Sequence, residues 1–191
     1  LYPEILAHIL KDIDLTPGEQ EEFISILFEK NLEKKELLIR PGDTVSTEYF
    51  VVSGCLKAYY LDESGDKHII QFAVEDWWIS DFEAFFSGKP AQLFVEAIED
   101  SNLLGINRDA LEILYKRIPK FERFFRKKIT GAFVALRSRI LSSLQKTGKE
   151  RYIEFCETYP NIEQRVPNYH IANYLGLKPE SLSRIRKELN N

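Results

Sequence analysis

The chain has 191 residues, 44% of them hydrophobic and 13% aromatic, with a formal net charge of −4, enough apolar material for one substantial core and a small second one. No apolar run approaches the roughly 18 residues needed to span a bilayer, and the N-terminus lacks the basic, apolar and small-residue succession of a signal peptide, so the sequence reads as soluble, globular and without a membrane partner. Cys55 and Cys156 stand far apart and in no CxxC arrangement, which excludes a disulfide framework and a metal knuckle and makes a reducing cytoplasm the expected compartment. Leu1 stands first and the chain holds no Met, so native residues are expected to precede it.

From Pro3 to Lys30 the pattern is helical. Ile5, Leu6, Ile9 and Leu10 recur at helical spacing, and "TPGEQEEFISILFEK" opens with Thr16 as N-cap, Pro17 at the first helical position and Glu19 three after the cap. From Lys35 to about Asn107 the texture changes to short apolar runs broken by Ser53-Gly54, by Glu63-Ser64-Gly65-Asp66 and by Glu75-Asp76. Turns at such intervals predict an antiparallel jelly-roll-like barrel rather than alternating β and α units.

Helices resume near Asp109. "KFERFFRKKITGAFVALRSRILSSLQK" carries Phe121, Phe125, Ile129, Ala132, Leu136, Ile140 and Leu144 at spacings of three or four, one apolar stripe on a helix of roughly 40 Å. That exceeds what a small barrel needs for cover, and the surplus stripe predicts a parallel pairing with a second copy, with Phe125, Ile129, Ala132, Leu136 and Ile140 in the interface; the alternative is a helix merely packed on its own barrel. Gly148 is the expected stop, followed by an amphipathic segment from Glu150 to Thr158. The fold class is α+β, divided as a barrel domain over 1–118, a long dimerisation helix over 119–147 and a C-terminal domain over 148–191.

Charge is divided unevenly along the chain. Residues 1–115 hold nine Lys and Arg against 23 Asp and Glu (net −14), residues 116–151 hold 12 against two (net +10), and the remainder five against five (net 0). An acidic first part joined to a basic middle suits a polyanionic partner, and the alternative is a solvated basic helix.

The C-terminal stretch "VPNYHIANYLGLKPESLSRIRKEL" explains the pattern. Ala172 and Gly176 are four apart, and Ile171, Leu175, Leu177, Leu182 and Ile185 take the positions buried where two helices cross at a tight turn. Gly176 permits a left-handed turn and Pro179 starts the second helix. These features predict a helix-turn-helix; the alternative is an ordinary helical hairpin. With Leu182, Ile185 and Leu189 turned inward, Glu180, Ser181, Ser183, Arg184 and Lys187 remain outside. Arg pairs with guanine O6 and N7, Glu accepts from cytosine N4, and Ser and Lys suit phosphates. In isolation a Glu and Arg one turn apart are more simply an intrahelical ion pair.

Together with "PGD" (Pro41 to Asp43), "YFVVSG" (Tyr49 to Gly54) and the long helix, "IANYLGLKPESLSRIRKEL" resembles the Crp/Fnr family of bacterial transcription regulators over nearly the whole chain. The resemblance implies a cyclic-nucleotide-binding-like barrel, a homodimer paired through its long helices, and two recognition helices in successive major grooves of a palindromic double-stranded DNA operator, with RNA polymerase as a further partner. It assigns base reading to Glu180 and Arg184 and phosphate approach to Tyr169 and Ser181, and Lys178 joins the DNA-facing set.

Departures from the family are expected to matter. Cyclic-nucleotide binders of the family carry Gly-Glu and later Arg-Ser or Arg-Thr, the Arg neutralising the cyclic phosphate; here Ser80-Asp81 and Ala91-Gln92 stand at those places, with Lys89 the nearby cation. Cyclic AMP is therefore not expected. A different small effector would be held by Trp78, Ser80, Asp81, Phe82, Lys89 and Gln92, within an aromatic cluster that includes Trp77, Phe85, Phe86 and Phe94; the alternative is that these residues are core. No cofactor is expected, since two Cys are too few for an iron–sulfur cluster, and a single strand His such as His68 is ordinarily a surface residue rather than a haem ligand. Nor is catalysis expected. A metal-dependent barrel enzyme needs His and carboxylate ligands that converge, whereas His8, His68 and His170 fall in three different regions. A regulatory module without DNA binding would not need Ser183, Arg184, Arg186 and Lys187 on one helix. Asn191 follows that helix almost at once, so no β-hairpin wing is expected after it.

Overall fold

Two prolines start the first two helices. In the computed structural model, which describes residues 2–189, α1 spans Pro3–Leu10 and α2 spans Pro17–Ser25. Leu1, Asn190 and Asn191, and with them the expectations about the chain's start and its end, lie outside the described residues. Thr16 Oγ1 accepts from the Glu19 N–H while the Glu19 carboxylate accepts from the Thr16 N–H, closing a capping box.

The helix expected to run to Lys30 stops earlier, because Leu27–Leu32 forms strand β1. Its partner is β8 (Ser101–Asn107), with Leu27 opposite Ile106 and Phe28 opposite Gly105. The Phe28 ring lies where a Cβ on Gly105 would sit, with ring carbons 2.4–2.8 Å from that position. The missing side chain admits the ring, and this pairing overrides the local helical pattern. Strands β2 (Leu37–Ile39), β3 (Thr47–Ser53), β4 (Leu56–Leu61), β5 (Lys67–Ala73), β6 (Trp78–Ile79) and β7 (Phe94–Ala97) complete two antiparallel sheets, ordered β1-β8-β3-β6 and β2-β7-β4-β5. A short α3 (Phe82–Ser87) separates β6 from β7. Leu32, Val51, Leu56, Ile79, Phe85, Val95 and Leu103 fill the space between the sheets.

After β8 come α4 (Arg108–Arg117) and α5 (Lys120–Gln145). The first turns of α5 belong to the barrel: Phe121, Phe124 and Phe125 are buried against Ile5, Ile9, Phe23, Phe50 and Leu114. Much of the basic charge of α5 is also spent internally, as Lys120 pairs with Glu19 and both Lys127 and Lys128 pair with Asp12. The long helix ends before Gly148, which is the first residue of α6 (Gly148–Thr158), capped by Thr147 and Glu150. The chain closes with α7 (Ile162–Arg165), α8 (Asn168–Leu175) and α9 (Pro179–Leu189).

The C-terminal helices do not stand apart from the barrel. Cys55, Tyr59, Ile69 and Phe72 from the β2-β7-β4-β5 sheet share one buried cluster with Tyr152, Phe155, Ile162, Ile171, Leu175 and Leu182. Polar contacts fix the approach. Arg165 pairs with Glu75 and Glu99, Asn173 accepts from the Ile69 N–H and donates to the Lys67 carbonyl, and Arg139 donates to the carbonyls of Ile69, Ile70 and Tyr174. No helix among the described residues is long and apolar enough to cross a membrane.

Candidate nucleic-acid interface

Helices α8 and α9 meet at Gly176, whose φ of 65° is left-handed, and the Leu177 N–H returns to the Ala172 carbonyl at 2.8 Å. A side chain at that φ would be strained, which explains the glycine. Ile171, Ala172, Leu175, Leu182 and Ile185 are buried and Leu177 is half-buried against the same cluster. Leu189, expected to face inward, is exposed; in the last turn of α9 the contact with α6 is polar, Glu188 lying 3.6 Å from Lys149.

Burial of Leu182 and Ile185 determines what α9 shows to solvent. Glu180, Ser183, Arg184 and Lys187 are exposed and spaced i, i+3, i+4, i+7, which sets them on one helical face. Ser181 is half-buried on the flank, and Lys178 is exposed at the helix start, its carbonyl accepting from the Leu182 N–H. This face of α9 thus offers one acceptor, one hydroxyl and two cations on an open surface. Arg186 is different: it pairs with Glu163 at 2.7 Å and donates to Asn168 Oδ1, tying α9 to α7 and α8. It contributes rigidity rather than free charge. Tyr169 is exposed at the N-terminus of α8, its ring against His170.

The residues expected to hold an effector are largely engaged with one another, with the backbone or with the core. Asp81 is buried and caps α3, and its carboxylate accepts from the N–H groups of Ala84, Gln92 and Leu93 at 2.8–3.1 Å. Ser80 Oγ donates to the Thr47 carbonyl. Trp78 packs between Phe50 and Phe125, Phe82 stacks on Phe86, and Lys89 is exposed. The aromatic set is divided among separate clusters, since Phe85 joins the inter-sheet core and Phe94 stacks on Tyr59. This donor set does not fit a cyclic nucleotide: the backbone N–H groups at Gln92 and Leu93 are already satisfied by an internal carboxylate, which would repel a phosphate.

The long helix separates the expected interface residues into two groups. Phe125 is in its own barrel's core, so it is removed from the interface set. Beyond it the helix keeps only polar ties to the barrel, through Lys127, Lys128 and Arg139, and Ile129, Ala132, Phe133, Leu136, Ile140 and Leu144 are all exposed. Phe133, which the stripe read from sequence omitted, falls beside Ile129 and Leu136 at spacings of four and three.

A polar cluster that sequence reading missed joins the barrel to α8. Lys57, buried on β4, donates to Glu96 Oε1 and lies 3.0 Å from His170 Nε2. Burial, and then the Lys57 charge, push His170 down to about 4, so its imidazole stays neutral at neutral pH and accepts from Lys57. Burial raises the Glu96 carboxyl, but hydrogen bonding and charge from Lys57 outweigh it and leave the group below its ordinary value. No local sequence signal marks this cluster, because its members come from β4, β7 and α8. His68 lies at the surface against Asp62, and among the described residues no three His, Cys, Asp or Glu side chains are placed to hold a metal ion.

Comparison with known proteins covers both parts of this architecture. A family model described as "Cyclic nucleotide-binding domain" matches residues 29–117. The regulatory protein HlyX of Actinobacillus pleuropneumoniae and the fumarate and nitrate reduction regulatory protein of Escherichia coli are each 26% identical over 170 residues, 82% of this chain. The chain spans about two thirds of those relatives, 69% of the first and 66% of the second. In structure, FixK2 from Bradyrhizobium japonicum superposes with a TM-score of 0.75 at 22% identity, over 86% of this chain and 85% of that one. With the barrel matched by the cyclic nucleotide-binding pattern and two regulators matched across most of the chain, the protein carries a cyclic nucleotide-binding domain and is similar to transcription regulators of the Crp/Fnr type.

Proposed function

We propose that the protein is a homodimeric, sequence-specific DNA-binding regulator whose α9 helices enter successive major grooves of a palindromic operator. The observation that carries this reading is the open face of α9, where Glu180, Ser183, Arg184 and Lys187 are exposed together on a helix held rigid by Arg186 and the Gly176 turn. Arg184, one turn into the helix, pairs with a guanine edge, and Glu180 accepts from a cytosine amino group or holds Arg184 in pose. Lys178, Ser181, Lys187 and Tyr169 hold backbone phosphates. Dimerisation through the exposed apolar face of α5 sets the two helices about one DNA turn apart. Binding near a promoter makes RNA polymerase the natural further partner, and the activity is regulatory rather than enzymatic.

The test separates base reading from backbone holding. Selection from a random duplex library is expected to return a palindrome. Arg184→Ala should flatten the preference at one position of each half-site, at a cost of about 1–3 kcal/mol for that base, with weak non-specific binding retained. Lys187→Ala should weaken all sequences alike and lower the salt slope by about one ion per subunit. Competition binding at several salt concentrations distinguishes them, and a uniform loss for Arg184→Ala would transfer base reading to Glu180 or Ser181.

The barrel does not use cyclic AMP in this reading, because Asp81 occupies the N–H groups a phosphate would need. Added cyclic AMP is expected to leave both the melting temperature and operator affinity unchanged. A saturable calorimetric titration would overturn this and implicate Lys89.

A further inference from the structure

We propose that Asn168 is a positioning residue for base reading: its amide donates to the Ser183 oxygen, so that α9 presents the Ser183 hydroxyl as an outward donor and selects a base edge that carries an acceptor. The inference rests on the DNA-binding reading above and adds to it a residue outside α9. Asn168 is the first residue of α8 and is half-buried, and Ser183 is exposed on α9 among Glu180, Arg184 and Lys187. The crossing of the two helices brings them together, with Asn168 Nδ2 3.3 Å from Ser183 Oγ.

The direction of that bond follows from the other end of the amide. An Asn side chain has one atom that donates and one that accepts, and a neighbour that can only donate decides which way it lies. Arg186 is such a neighbour, since a guanidinium has no acceptor, and it donates to Asn168 Oδ1 at 3.1 Å. Arg186 is itself held by Glu163 at 2.7 Å, whose carboxylate also accepts from the buried Tyr152 hydroxyl. With Oδ1 turned to Arg186, Nδ2 faces Ser183, and Ser183 Oγ must accept. Among the described residues nothing takes the Ser183 proton, not even the carbonyl one turn earlier in α9 that a helical serine often uses. The proton is therefore left for a partner. In the major groove guanine and thymine present only acceptors, whereas cytosine presents its N4 donor, so guanine or thymine is selected at the base facing Ser183.

The experiment is operator selection with the full chain, followed by competition binding across single-base variants. Ser183→Ala should flatten one position of each half-site, at which the wild type prefers guanine or thymine over cytosine by roughly fivefold, the worth of one hydrogen bond. Asn168→Ala should reduce the preference at that same position to about twofold or less, and should change nothing there once Ser183 is alanine. Asn168→Asp separates positioning from mere support. The new carboxylate still accepts from Arg186 and suits the N-terminus of α8, so the fold is kept, but it has nothing to donate. Ser183 then donates to it and turns its lone pairs outwards. The preferred base should change to cytosine or adenine, which carry amino donors, while the added negative charge weakens all sequences alike. A wild-type preference for cytosine at that position, no position flattened by Ser183→Ala, or an unchanged preference in Asn168→Asp would each overturn the proposal. Failure of the wild type to select any palindrome would instead sink the DNA-binding reading, and base selection by Ser183 with it.

Discussion

Replacing Leu136 or Ile140 with aspartate is expected to convert the protein from dimers to monomers. Beyond its first turns α5 exposes Ile129, Phe133, Leu136, Ile140 and Leu144, each between 48% and 77% accessible, at spacings of four, three, four and four. Such a face on an isolated chain is an interface awaiting its copy. A carboxylate in its centre would be buried unpaired and, by two-fold symmetry, opposite a like charge, at a cost of several kcal/mol. The variant should still fold, because the apolar residues anchoring α5 to the barrel are Phe121, Phe124 and Phe125, all buried upstream, and Arg139 keeps its bonds to the Ile69 and Ile70 carbonyls. Sedimentation equilibrium should therefore find a folded monomer, and operator affinity should fall by about 100-fold or more as the two half-sites cease to be bound together. An unchanged dimer would remove this helix from the interface.

Glu48→Gln is expected to stabilise the protein at alkaline pH by several kcal/mol. Glu48, on β3 opposite Ile106, is 5% exposed, and burial pushes its carboxyl from an ordinary 4.5 up to about 8. The folded state therefore keeps its proton where the unfolded chain releases it. Between about pH 4.5 and 8 the folded state binds more protons, so stability falls as pH rises through that window and is fully present only below it. A shift of this size corresponds to on the order of 3–5 kcal/mol at 1.36 kcal/mol per unit. Glutamine has the same shape and no charge to desolvate. Urea denaturation of both proteins at pH 4.5 and pH 9 should give similar stabilities at the acid end and a gap at the alkaline end. Parallel pH profiles would mean that Glu48 does not titrate as a buried acid.

The elements that sequence made legible are those with a local physical signature. The Thr16 capping box is written in four consecutive residues, and the strand texture between Lys35 and Asn107 follows from turn chemistry at short intervals. The helix-turn-helix was readable because Ala172, Gly176 and the buried leucines and isoleucines lie within one short segment whose geometry admits few alternatives. The exposed face of α9 followed from the same register, so Glu180, Ser183, Arg184 and Lys187 could be named from spacing alone.

What spacing could not supply was the identity of each side chain's neighbour. Leu27 to Lys30 continues a helical pattern, yet it pairs with β8 because Gly105, some 75 residues later, leaves room for Phe28. Phe125 and Leu136 share one apolar stripe, but the first is core and the second is exposed, a division made where the apolar face of α5 runs past the barrel core. Arg186 and Arg184 carry the same charge on one helix, and only the position of Glu163 takes Arg186 out of the DNA-facing set. Asp81 reads as a ligand group until its three backbone donors are seen.

Sequence by itself determined the order of helical and strand segments, the helix-turn-helix and the side chains it presents, because these depend on periodicity, capping and turn residues acting over a few positions. Tertiary structure alone decided that the C-terminal helices dock on the barrel through Arg165, Arg139 and Asn173, and that Lys57, Glu96 and His170 meet between the barrel and α8. Those groups come from distant segments, and the burial and charge that give them their properties exist only once the segments have packed.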